Sequence, residues 1–200
     1  MVLDDFIGER TQNVSSTVKV SERLLYYNKA MEAIYYATYP TPLGTVLVTA
    51  KPTAITGLWF TERQRHQPAE ELFEGWTEAF EHPLLLAAKD WLDAYFAGSQ
   101  PAVELPLELA GSPFQQAVWR LLTDIPYGST STYRELALLV QASQQRLRTP
   151  AAQAIGGAVG RNPISLIVPC HRVIGSNGNL VGYGGGLDRK LALLKLEGVL

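Results

Sequence analysis

Strand-forming and helix-forming signals are segregated along this chain, and their order restricts the fold more than any other feature. Strand formers are concentrated in Ile34–Tyr39, Thr45–Thr49 and Ile55–Phe60, cut by Pro40, Pro42 and Gly44 and then by Lys51-Pro52-Thr53. That spacing predicts a three-stranded antiparallel meander. A helix follows with Pro83 in its first turn, Leu84, Ala88, Trp91, Leu92 and Tyr95 on one face, and Gly98 just past its end. Another helix is expected over 68–80. The aromatic residues of this half read as core, and no chemistry is assigned to it.

Pro101 to Gly111 reads as an extended linker, after which helix starts dominate. Ser112-Pro113-Phe114-Gln115 and Thr132-Tyr133-Arg134-Glu135 each fit a capping box. The first should open a helix to about Thr123. The second should open one through Leu136, Ala137, Leu139 and Val140. After the polar stretch Gln141–Arg148, Thr149-Pro150 should cap a third helix, Ala151 to about Val159. Helix, connector and capped helix outline a helix-turn-helix, with a connector longer than usual. A last helix should carry Leu187, Leu191, Leu194 and Lys195 on one side. The chain therefore divides into an extension of weak patterning (1–33, with a short helix near Ser21–Met31), an α/β domain (34–110) and a mostly helical domain (111–200).

Charge follows the same division. Residues 1–110 carry 8 Lys and Arg against 15 Asp and Glu, whereas 111–200 carry 9 against 4. A basic second half can hold phosphates while the acidic half faces away, although two halves that merely differ would show the same imbalance. One cysteine excludes an internal disulfide and a cysteine-rich zinc site. His66, His82 and His171 are too widely spaced to suggest a metal site. The loop Gly175–Gly186 lacks the Lys-Ser/Thr of a phosphate-binding loop, so no cofactor is expected. With no run of eighteen apolar residues and an acidic amino terminus, a cytoplasmic protein without membrane contact is expected.

The single cysteine lies in Asn162-Pro163-Ile164-Ser165-Leu166-Ile167-Val168-Pro169-Cys170-His171-Arg172-Val173. Ser165–Val168 reads as a short buried strand with the thiol at its end. A lone cysteine is most often a small buried hydrophobe. Here Pro169 stiffens the approach, and His171 and Arg172 place a base and a positive charge beside the sulfur in sequence. Neighbours on a strand point to opposite faces, so the residues alone leave a packing cysteine and a thiolate nucleophile both open. The helix after Pro150 is equally double-valued. Gly156 and Gly157 cost about 1 kcal/mol each relative to alanine, offset either by close helix packing or by close approach to a nucleic-acid backbone.

Pro169-Cys170-His171-Arg172-Val173, with Asn162-Pro163 before it and Gly182-Tyr183-Gly184-Gly185-Gly186-Leu187 after it, resembles the active-site signature of the O6-alkylguanine-DNA alkyltransferases. The likeness runs from about Ser112 to Gly198 and more loosely back to Ile34. It implies a ribonuclease H-like sheet and helices followed by a winged helix-turn-helix, and a monomer that repairs duplex DNA. O6-alkylguanine, or O4-alkylthymine, would be flipped out and its alkyl group passed irreversibly to Cys170, once per molecule. His171 would act as base through a water, Glu197 would orient its ring, Asn162 would shape the turn, and Tyr133 would donate to the departing guanine. Pro169, Val173, Tyr183 and Gly184 would line the pocket; some relatives have serine at the position of Gly184. Ala152, Gln153, Gly156, Arg161, Arg146 and Arg148 are the implied DNA contacts, with Arg172 expected to serve structure or phosphate binding rather than the chemistry.

Two departures stand out. Many relatives carry arginine where this chain has Gln153, which is shorter and uncharged, so weaker DNA affinity is expected. The segment from Tyr133 to Gln153 is also about six residues longer than a short helix-turn-helix connector allows, and its Arg146 and Arg148 are expected to add phosphate contacts. Without the resemblance, Glu197 reads as a solvated helix-end carboxylate and Tyr133 as packing. A non-catalytic binder of alkylated bases remains an alternative, although such relatives lack the cysteine. A Cys-His hydrolase would need an oxyanion hole that the sequence does not display. A purely regulatory helix-turn-helix protein would leave the cysteine stretch unexplained.

Overall fold

Proline and glycine cut the early strand-forming run at the expected places. In the computed structural model, which describes residues 33–66, 68 and 75–200, β1 (Tyr35–Tyr39), β2 (Val46–Lys51) and β3 (Ala54–Phe60) form the antiparallel meander. Gly44 turns the chain between the first two at φ +114°, a conformation that suits a residue without Cβ. A fourth strand, β4 (Thr77–Glu78), adds parallel to β1 and gives the order β3-β2-β1-β4. It replaces the end of the helix expected over 68–80, whose remainder is mostly outside the described residues. The expected helix near Ser21–Met31 also lies outside them.

Helix α1 (Pro83–Phe96) starts at a His82 cap, and its buried stripe of Leu85, Ala88, Trp91, Leu92 and Tyr95 joins the strand residues Val46, Val48, Ile55 and Leu58 in one core. The Tyr39 hydroxyl donates to the Leu85 carbonyl at 3.0 Å, tying helix to sheet. The stretch from Pro101 is extended as expected, and it also pairs with β3: the Ile55 N–H donates to the Pro106 carbonyl and the Glu108 N–H to that of Ile55.

Both capping boxes form. Ser112 and Gln115 open α2 (Pro113–Thr123), and Thr132 and Glu135 open α3 (Tyr133–Ser143). Helix α4 (Ala152–Gly160) begins without the expected Thr149 cap, because the Thr149 hydroxyl donates to the Gln141 side chain instead. Trp119 of α2 donates its indole N–H to the Ala158 carbonyl at 2.8 Å, locking α2 onto α4. Two-residue strands β5 (Ser131–Thr132) and β6 (Val173–Ile174) pair in parallel and bring the start of α3 beside the cysteine motif. The chain then turns at Gly175–Asn179 and runs through the glycine loop into α5 (Leu187–Leu196). The fold is thus an antiparallel-based sheet with helices followed by a helical part containing a helix-turn-helix.

Two local expectations change. Ser165–Val168 is not a strand: only Ile164 bridges to Leu58, and the chain then curls through successive turns with Leu166 at φ +69°. In α5 the buried face is Arg189, Lys190, Leu193 and Leu194, while Leu187 and Leu191 face solvent. Among the described residues, no helix is long and apolar enough to cross a membrane.

Candidate active site

Asn162 explains the curl. Its Oδ1 accepts from the Ile164 N–H at 3.0 Å, and its Nδ2 donates to the Val168 carbonyl at 2.7 Å, so one amide pins both ends of a loop that would otherwise extend. The same Nδ2 lies 3.2 Å from the Cys170 sulfur. The loop is also fastened to the sheet. Leu58 exchanges backbone bonds with Pro163 and Ser165, and the Gln64 side chain bridges the Phe60 N–H and the Ser165 hydroxyl.

Cys170 opens a single 3-10 turn, Cys170–Arg172, capped by Pro169. It is only 5% exposed, and that exposure belongs to a cavity of about 230 Å³ that it lines with Tyr133, Gly156, Gly157, Gly160, Tyr183 and Gly184. Burial pushes the thiol pKa up; the Asn162 hydrogen bond and the positive charge of Lys190 act against that and favour thiolate.

His171 lies in the interior beside it. Its Nε2 donates to Glu197 Oε1 at 2.7 Å, which fixes the tautomer and leaves Nδ1, bonded by no group among the described residues, as the ring's basic nitrogen. Glu197 is the hub. It also accepts from the Tyr95 hydroxyl at 2.7 Å, from Arg172 Nε at 2.9 Å and Nη2 at 3.0 Å, and from the Gly128 N–H at 3.3 Å. Burial would raise its pKa, but the bonds from His171, Arg172 and Tyr95 prevail and hold it at about 2. One carboxylate and one guanidinium already balance, so a second positive charge at His171 would be uncompensated. Burial accordingly pushes the imidazole pKa down, against its bond to Glu197.

Of the two roles open to Arg172, its burial fits structure and not a DNA contact. It is buried against Glu197, with Nη1 on the Ile125 carbonyl at 2.7 Å and its guanidinium over the Tyr127 ring. The Tyr133 hydroxyl donates to the Val181 and Gly182 carbonyls, holding the glycine loop over the cavity. Lys190 grips the same loop. Its ammonium is buried and donates to the carbonyls of Val173, Val181 and Gly182, with its pKa brought down to about 8 by burial despite the opposing pull of Cys170. Tyr183 sets its ring edge-on to His171, 6.3 Å between centroids, and Gly185 makes room for it, since a Cβ there would stand 2.8 Å from that ring.

The implied DNA contacts fall into two groups. Gly156 and Arg161 line the cavity, and Ala152 and Gln153 are exposed on the first turn of α4. Arg146 and Arg148 sit apart, exposed in the connector. Four residues escaped the sequence reading: Tyr95, Lys190, and Arg65 and His66, which border the cavity. Tyr95 looked like core. Lys190 had a visible signal, since Lys190, Leu193 and Glu197 recur at helical spacing and place two charges on a face that also buries leucine.

The glycines of α4 now have one explanation. A Cβ at Gly156 would lie 3.7 Å from the Tyr133 ring and one at Gly157 3.4 Å from the mobile end of Arg161, so neither is demanded by packing inside the protein. Both border the cavity instead. Gly156→Ala is expected to raise stability by up to about 1 kcal/mol through helix propensity, while slowing alkyl uptake from methylated duplex, read by thermal melting and single-turnover assay. A variant both less stable and fully active would contradict this account.

Comparison with known proteins shows the family. Residues 34–109 match the family profile described as 6-O-methylguanine DNA methyltransferase, ribonuclease-like domain, and 113–199 match its DNA binding domain. A methylated-DNA–protein-cysteine methyltransferase of Mycolicibacterium paratuberculosis is 44% identical over 165 residues, covering 82% of this chain and 92% of the relative. The protein of that name from Haemophilus influenzae is 41% identical over 169 residues, 84% of this chain and 88% of its own. The crystal structure of Mycobacterium tuberculosis OGT in complex with DNA superposes with a TM-score of 0.69 at 41% identity, over 82% of this chain and 92% of that one. The chain belongs to the 6-O-methylguanine DNA methyltransferase family.

Proposed function

We propose that this protein repairs duplex DNA in the cytoplasm, as a monomer, by taking the alkyl group of O6-alkylguanine, or of O4-alkylthymine, onto Cys170 once per molecule. The observation that carries the reading is the sulfur itself: it lies at the wall of a cavity bordered by α4, hydrogen-bonded by Asn162, with a buried His171 tied to Glu197 beside it. A thiolate cannot line up behind the alkyl carbon of a stacked base, so the lesion must leave the helix and enter that cavity. The thiol proton passes through water to His171 Nδ1. Sulfur then attacks the alkyl carbon, the S–C bond forms as the O6–C bond breaks, and the departing guanine takes up a proton to become ordinary guanine. Tyr133, at the cavity wall, turns its one hydroxyl proton from the Val181 and Gly182 carbonyls to the base and supplies a hydrogen bond as charge develops there.

In this reading Asn162 and Glu197 position the reacting groups without touching the alkyl carbon. Pro169 and Val173 hold the turn, and Tyr183 and Gly184 form the side of the pocket. Ala152, Gln153, Gly156 and Arg161 meet the DNA, with Gln153 filling part of the space that the extruded nucleotide leaves. A neutral amide makes that contact weaker than an arginine would. The product is a thioether, and among the described residues no group near the sulfur is suited to cleave it.

Incubation with duplex containing O6-methylguanine is expected to add a single methyl mass, confined to the peptide bearing Cys170. Many turnovers per molecule, or methyl on another peptide, would overturn the proposal.

A further inference from the structure

The connector between α3 and α4 holds one large apolar side chain in water. Leu147 is 101% exposed, whereas the next most exposed large hydrophobic among the described residues is Leu200 at 62%. A single surface leucine ordinarily needs no explanation, but three features set this one apart. Its projection is built: Gln145 turns the chain at φ +49°, and the Gln141 amide clamps both sides, donating to the Arg146 carbonyl and accepting from the Thr149 hydroxyl. The Arg146 N–H bonds the Gln141 carbonyl, and the Gln144 side chain reaches the Pro113 carbonyl, so the base of the projection is fixed to α3 and α2. Leu147 also stands between two cations, and Arg146 is steadied with its guanidinium 5.1 Å over the Phe114 ring. Stacking occupies the face of that guanidinium and leaves its edge free for phosphate. Finally, the sequence carries no Asp or Glu from Leu136 to Leu187, so nothing in this run repels a nucleic-acid backbone.

We propose that Arg146-Leu147-Arg148 is a second DNA-contacting element, in which Leu147 wedges into a base step while the two arginines hold the flanking phosphates. The proposal rests on the repair reading above. Apolar side chains inserted this way partly unstack a step and kink the duplex toward its major groove. Reach fixes where it acts. Leu147 lies five positions before the start of α4, at most about 18 Å of chain, so the wedged step lies within about five base pairs of the lesion at roughly 3.4 Å per pair. The first turn of α4 presents only Ala152, Gln153 and Ala154; Gln153 alone can enter the stack there, and none of the three supplies an apolar wedge or a cation.

The test uses methylated duplexes with 2-aminopurine at single positions up to five pairs from the lesion, bound by the full chain in a Cys170→Ala background that prevents repair. The parent should brighten one such position in addition to any change at the lesion. Leu147→Ala should lose that signal and bind about tenfold more weakly, as expected for a leucine side chain left unburied after allowing for unstacking. Leu147→Met should restore both. With Cys170 present, Leu147→Ala should still accept a full methyl at saturating DNA. Arg146→Gln with Arg148→Gln should make the plot of log affinity against log salt shallower by about 2. No brightening by the parent at any position, or Leu147→Ala that binds and brightens like it, would overturn the wedge; an unchanged salt slope would overturn the phosphate contacts. Failure of the unmutated chain to bind methylated duplex or take up methyl would instead refute the repair reading.

Discussion

Cys170→Ala is expected to remain folded, to bind O6-methylguanine duplex with near-parent affinity and to acquire no methyl at all. The structure indicates why so local a change can be complete in one measurement and small in the other. This chain has one thiol, and it is the only strong carbon nucleophile that lines the cavity among the described residues. Removing it leaves no orphaned donor, because Asn162 Nδ2 keeps the Val168 carbonyl at 2.7 Å. The stability cost should therefore be the loss of one small buried group, about 1 kcal/mol. Cys170→Ser keeps a hydrogen-bonding atom and should be equally inert, since an alcohol at neutral pH supplies almost no anion. Intact mass and gel-shift measurements on the same samples decide the matter. Methyl found on the alanine variant would place the chemistry elsewhere.

Glu197→Gln should be the most damaging single substitution for stability. It keeps size and shape but strips the charge from a group that accepts five hydrogen bonds, and it leaves the Arg172 guanidinium buried without its partner. Breaking a buried pair from one side costs about 3–5 kcal/mol, a large part of what holds a typical domain together. Alkyl uptake should fall by roughly 10³- to 10⁴-fold, the scale seen when a carboxylate that fixes a catalytic imidazole is made neutral. Should the variant not fold, Tyr95→Phe offers a milder cut: it removes one donor and leaves the ion pair. A loss of about 1.5–3 kcal/mol is expected there, with a smaller drop in rate.

The same carboxylate predicts an acid limb. Its pKa falls from 4.5 to about 2 on folding, so its stabilisation is complete above about pH 4.5 and disappears as pH drops through 2, with about 3 kcal/mol at stake. Acid unfolding of Glu197→Gln should lack that limb. A variant whose stability falls as steeply with acid as the parent's would show that Glu197 is not the group responsible.

Much of this architecture was legible in advance because its determinants are local. Ser112 with Gln115 and Thr132 with Glu135 each satisfy one another within three residues, and Pro83 and Gly98 bracket α1 by backbone preference alone. Ser165–Val168 misled for the opposite reason. Mostly apolar, these residues have the composition of a buried strand, but the Asn162 side-chain amide holds the Ile164 N–H and the Val168 carbonyl at the two ends and bends the stretch between them. Thr149 likewise abandoned a cap for Gln141, eight residues back. At the site, Cys170 was marked by its neighbours, whereas Glu197 came only through family likeness. Tyr95 and Arg172 acquire their parts through contacts 102 and 25 residues away, which no local pattern encodes.

The seam between the sulfur-bearing loop and β3 has a practical meaning. Leu58 threads its backbone bonds through Pro163 and Ser165, Gln64 clasps the same loop, and Tyr95 steadies the carboxylate from α1. A fragment beginning near Gly111 would carry every residue of the cysteine motif and still lack three of the struts that aim it. The amino-terminal half is thus scaffolding in the builder's sense, and amputating it should leave a thiol that is present but unaimed.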